Sequence, residues 1–101
     1  MPSYRIELEI GRLRPGTVPD QVMDAARRAC DGHHVDATDV AVTNGIPRIL
    51  VRFSVPACSD LEEDVSARET AVRMRAAVAH VADVGRHRLL RRHHGSWLAV
   101  I

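Results

Sequence analysis

Six histidines and two cysteines are the groups in this chain best suited to hold a metal ion. Cys30, His33, His34 and Asp36 lie close together in sequence, and Cys58 supplies the second thiol. Two thiolates and two imidazoles make a tetrahedral zinc set. The spacing argues against one: there is no Cys-x-x-Cys, and Cys30-x-x-His33 alone is a weak match to a zinc motif. His93 and His94 are expected on the opposite edge of the fold, about 14 Å away across three strand spacings, and cannot complete the set. The expectation is therefore two small, buried or half-buried cysteines beside a polar loop, with no resident metal or other cofactor. A Cys30–Cys58 disulfide is not expected in a reducing compartment.

Acid–base and nucleophilic chemistry find little to work with. Ser3, Ser54, Ser59, Ser66 and Ser96 sit in no nucleophile-elbow context. Glu7 and Glu9 are paired carboxylates, but arginines expected on the neighbouring strands pair with them, which suits neither a general acid nor a sugar-cleaving pair. All fourteen basic residues are arginine. Without a lysine there is no Walker A loop and no Schiff-base or pyridoxal chemistry. The arginine bias, with abundant alanine and valine, matches the codon usage of a high-GC bacterial genome. No catalytic residue is assigned, and the chain reads as a non-enzyme.

The segment Gly11-Arg12-Leu13-Arg14-Pro15-Gly16-Thr17 offers a different chemistry. Arg12 and Arg14, with the free N–H groups of a following helix start at Gly16 and Thr17, suit an anion. Arg14-Pro15-Gly16 resembles the turn between first strand and first helix in the ACT regulatory domain. That three-residue resemblance implies amino-acid binding at a dimer interface. Metal-transport domains of similar element order carry a Cys-x-x-Cys in this loop, which is absent here. Small dimeric α+β barrels that oxidise without a cofactor form a third comparison, but they need an aromatic-lined pocket. This chain has only Tyr4, Phe53 and Trp97.

The elements that must position these residues follow from periodicity. Tyr4, Ile6, Leu8 and Ile10 alternate with Arg5, Glu7 and Glu9, the pattern of a half-buried strand. Thr17 is the expected cap of a first helix, with Pro19 in its first turn. Val22, Ala25, Ala26 and Ala29 form its apolar stripe, and Asp31-Gly32 its end. A short strand at Val40 and Val42 leads to Asn44-Gly45, a strong hairpin signal. Ile49, Val51, Phe53 and Val55 then share one strand face, with Arg48, Leu50 and Arg52 on the other. Ser59 and Glu62 form a capping box for a second helix. Its main stripe is Ala67, Ala71, Met74, Val78 and Val81, and Gly85 is its expected end. Leu89 and Leu90 open a last extended segment running to Ile101, broken by a tight hairpin or bulge at His94-Gly95.

This order predicts an α+β domain spanning residues 1–101, of the ferredoxin-like βαββαβ kind. Right-handed crossovers put a four-stranded antiparallel sheet in the order 4-1-3-2, with both helices on one face and room for an extra strand from a C-terminal hairpin. Glu7 and Glu9 would then face Arg48 and Arg52 on one side and Arg91 or Arg92 on the other. The same open face is not an RNA platform, because parity turns Tyr4 and Phe53 toward the helices. The basic stretch Arg86, Arg88, Arg91 and Arg92 reads as a charge-guarded edge strand rather than a nucleic-acid site.

The net charge of +1 calls for no polyanionic partner. No run of residues is long and apolar enough to span a membrane, and the expected location is the cytoplasm. Two surfaces remain for partners. Leu50 and Trp97 are apolar anchors on the open sheet face. Leu61, Val65 and Val72, with Ala76 and Ala79, make a second stripe on the second helix, which packs on the first helix or meets a partner. The functional expectation is a small protein-interaction module, a homodimer or one with a further protein partner.

Overall fold

The computed structural model describes residues 1–100. Seven elements follow in the order β1 Ser3–Leu13, α1 Pro19–Ala29, β2 His34–Thr43, β3 Ile46–Ser54, α2 Asp60–Ala79, β4 Ala82–His93 and β5 Ser96–Ala99. The strands form one antiparallel sheet in the order β2-β3-β1-β4-β5. It differs from the four-stranded expectation by its fifth strand, which turns back at His94-Gly95 and becomes the edge beside β4. Both turn residues there have positive φ, 48° and 82°, as do Asn44 and Gly45 at the β2–β3 turn, 53° and 76°. These are the backbone conformations a two-residue hairpin loop requires. The expected strand end at Ile101 lies outside the described residues.

Register sorts the two faces. Tyr4 pairs with Phe53, Ile6 with Val51 and Leu8 with Ile49, so the apolar residues of β1 and β3 fall in facing rows. They meet Val22, Ala25, Ala26 and Ala29 of α1 and Ala67, Ala71, Met74 and Val78 of α2 in one buried cluster. Each fully buried Ile, Leu, Val, Phe or Met side chain contributes roughly 1.5–3 kcal/mol, and the helix alanines let the helices lie close to the sheet. The opposite face carries Arg5, Glu7, Glu9, Arg48, Leu50 and Arg52 and has no helix over it.

Several local expectations are corrected. The residue capping α1 is Val18, not Thr17. Gln21 Oε1 reaches back to accept from Val18 N–H at 2.8 Å, so a glutamine does the work assigned to the threonine. Ser59 caps α2 as expected, accepting from Glu62 N–H at 3.2 Å. That helix stops at Ala79, with His80 as its last cap, and not at Gly85. Val81 accordingly leaves the helical stripe for the turn beyond it. Gly85 lies inside β4, beside a register shift between Leu8 and Ile10 of β1. A Cβ on Gly85 would stand 2.6 Å from Glu9 Oε1 and 3.0 Å from Glu9 Cβ, so the glycine makes room for a crossing side chain. β2 begins at His34 rather than near Val40, and most of it is exposed. The second α2 stripe does not pack on α1: Leu61 is 72 % exposed and Val72 65 %.

Candidate functional site

Arginines serve the two faces of the sheet in opposite ways. Arg91 faces the helices. Its Nη1 donates to Tyr4 Oη at 2.6 Å and Asp64 Oδ1 at 3.1 Å, and its Nη2 to Glu63 Oε1 at 2.7 Å and Asp60 Oδ1 at 3.4 Å. Tyr4 Oη donates in turn to Asp64 at 2.5 Å, and Cys58 N–H donates to the other oxygen of Glu63 at 2.9 Å. The cluster ties the first turns of α2 to β1 and β4. Burial, with the bond to Asp64, pushes the Tyr4 phenol above its ordinary range. The Cys58 N–H and the Arg91 guanidinium hold Glu63 below the usual carboxylate range, while the bond to Glu63 raises Arg91. With Arg91 bonded to β1 and to three carboxylates of α2, the cluster acts as a clamp on the start of that helix.

Of the ion pairs expected on the open face only Glu9 with Arg48 forms; among the described residues Arg52 and Arg92 meet no carboxylate, and Glu7 takes Arg5 and Arg88 in their place. Glu7 meets Arg5 at 2.8 Å and Arg88 at 3.7 Å, and Glu9 meets Arg48 at 3.5 Å. Glu9 Oε1 also accepts the Arg86 N–H at 3.0 Å. A broad depression of about 760 Å³ runs along these residues, and both of its carboxylates are engaged. Leu50 and Trp97 share this face, half-buried among arginines. Arg92 shares it, whereas Arg91 points to the helices. Leu90 pairs with Arg5 and Ala99. It is nevertheless buried.

The loop residues separate. Arg14 donates to Asp83 at 2.5 Å and to Ala79 O at 3.2 Å, which closes the end of α2 against β4. Arg12 is exposed, Gly16 has φ +82°, and Thr17 N–H donates to Arg14 O at 3.0 Å. The proposed metal set also separates. Cys30 is buried and its thiol is pushed up to about 11 by desolvation. His33 stacks on Phe53 at 5.8 Å between centroids, and burial lowers its pKa. His34 pairs with Asp36 at 3.2 Å, and Cys58 is an exposed free thiol. No group of three or more histidine, cysteine or carboxylate side chains converges as a metal site among the described residues.

A third region is apolar. Leu61, Val65 and Val72 stand exposed along α2. Beyond them Leu98 of β5 is 51 % exposed; it pairs with Arg91, which puts it on the helix side of the sheet. Val72, Ala71, Leu89 and Val100 line a groove of about 370 Å³ between helix and strand. The tyrosine clamp and the β5 part of this groove are what sequence reasoning missed. Among the described residues no helix is long and apolar enough to cross a membrane. No protein-family model, curated protein or solved structure matches the chain.

Proposed function

We propose that the chain is a protein-interaction module without catalytic activity of its own, built on a ferredoxin-like βαββαβ layout with an added edge strand, and that it works as a homodimer joined through the outer flank of α2 and β5. The carrying observation is the exposed row Leu61, Val65 and Val72 on α2, with Leu98 exposed on the same side of the sheet; Val40, Val42 and Ile46 at the β2–β3 hairpin are also exposed, but on no helix face. An apolar row of this kind marks an interaction surface.

A second copy fits the row because α2 is divided by charge. Its first turns hold Asp60, Glu62, Glu63 and Asp64, and its second half holds Arg73 and Arg75. In a twofold contact each residue meets its counterpart reciprocally. An antiparallel crossing of two α2 helices sets Val65 of one copy against Val72 of the other, and Glu62 of one near Arg73 of the other. The helix is about 30 Å long, ample for such a crossing. An amino-acid sensor at Arg12, Arg14, Gly16 and Thr17 draws no comparable support, since Arg14 is held by Asp83 and Ala79.

Light scattering on a sizing column tests the reading. The wild type is expected at twice the 11.2 kDa chain mass, and Val72→Glu at the single mass with an unchanged circular dichroism spectrum. A wild type that is monomeric at micromolar concentration, or a Val72→Glu protein that stays dimeric, overturns it.

A further inference from the structure

Three guanidinium groups on the open face of the sheet surround a single indole. Arg5 of β1, Arg92 of β4 and Arg52 of β3 lie 4.9, 5.3 and 5.4 Å from the ring centroid of Trp97. Only Arg5 has a carboxylate, Glu7; among the described residues Arg52 and Arg92 meet none. The Nε atoms of Arg5 and Arg52 are buried with no acceptor. The face of an aromatic ring attracts a cation but accepts none of the in-plane hydrogen bonds a guanidinium offers. Three like charges and two orphaned donors thus converge where only one of the three guanidinium groups is paired with a carboxylate. Buried donors without partners are rare enough in folded proteins that each calls for a missing ligand, ion or water.

Arg5, Arg52 and Trp97 border a depression of about 200 Å³, with Leu50 also in its lining. Asp39 is also at its rim, with its carboxylate turned onto the Val40 N–H at 2.8 Å. The space suits an anionic head group rather than a drug-sized molecule. We propose that this depression binds a small molecule through a multiply charged oxyanion group, phosphate or carboxylate, held by Arg52 and Arg5. Guanidinium forks present paired donors that match such oxygens. The indole backs the cations and is not free to stack a base. The site lies on the sheet face away from the α2 flank, so it stands or falls independently of the dimer.

Trp97 is the only tryptophan in the chain, so its fluorescence reports the site directly. At low ionic strength, inorganic pyrophosphate and citrate are titrated separately. The expected result is a saturable change with one site per chain, weakened by added salt. Tighter binding of pyrophosphate assigns a phosphorylated ligand, and tighter binding of citrate a polycarboxylate. Arg52→Gln should weaken the better probe by about tenfold or more, Arg5→Gln should act in the same direction, and Arg28→Gln on α1, across the sheet, should leave it unchanged. Circular dichroism checks that each variant folds; should Arg52→Gln fail to fold, Arg5→Gln decides. No saturable response to either probe overturns the proposal, as does equal binding by the folded arginine variants. A response to a single-stranded oligonucleotide with none to either small anion also overturns it.

Discussion

Arg91 and Arg52 are the same side chain on opposite faces of one sheet, and their surroundings differ completely. Arg91, under the helices, has Tyr4, Asp60, Glu63 and Asp64 as acceptors. Arg52, on the open side, has an indole beside it and an Nε without a partner. A buried cation survives folding only when its hydrogen bonds are met, because desolvation otherwise outweighs the gain. On the open face a half-buried guanidinium can still turn part of its surface to water, so Arg52 persists there with its Nε unmatched and is available to a ligand. One arginine belongs to the architecture; the other is left over from it.

The contrast can be broken most forcefully at Arg91. Arg91→Ala leaves Glu63 and Asp64 without their cation and should destabilise the fold by about 3 kcal/mol, the low end for a buried pair because the side chain is 22 % exposed. Urea denaturation measures it, and a loss under 1 kcal/mol would return the cluster to the status of an ordinary surface network. Gly85→Ala comes next. Its Cβ would collide with Glu9, and the expected cost is about 1–3 kcal/mol, recovered in part by a second change, Glu9→Ala, that removes the obstructing carboxylate. Arg52→Ala should move stability by only about 0.5–1 kcal/mol. A larger loss would make Arg52 structural and erase the contrast.

The smallest effect is a pH dependence. Glu63 holds its proton less readily in the folded chain than in the unfolded one. The clamp's contribution is therefore present above the ordinary carboxylate range and lost as pH falls through and below it. His33, also lowered on folding, adds a loss of the same sign that begins higher, as pH falls through the ordinary histidine range. Thermal melts between neutral and acid pH should show both steps, and His33→Phe should flatten only the upper one.

How far the sequence reveals all this depends on whether a residue's role is local. Tyr4, Ile6, Leu8 and Ile10 announce their strand because one face is covered and the other is wet, and Asn44-Gly45 and Ser59 announce a turn and a cap by their own chemistry. β2 is less legible because most of it is exposed; Asp36, Thr38 and Asp39 break any alternation there. The start of β4 hides for another reason. Gly85 looks like a helix end in sequence, yet its place is set by Glu9, far away in the chain. Whether Arg91 or Arg92 faces the helices depends on the register of β4 against β1, which no pattern within residues 89–93 encodes. The grouping around Trp97 needs four strands, β3, β1, β4 and β5, in register at once. Trp97 itself stands out in sequence, but Arg5, Arg52 and Arg92 as its neighbours do not.

The account rests most heavily on α2 as a surface for a second copy. A native mass spectrum of untagged protein tests that directly. It should show a species at twice the chain mass of 11.2 kDa, replaced by the single chain when Val65 and Val72 are both changed to Glu. A wild-type spectrum containing only the 11.2 kDa chain would contradict it.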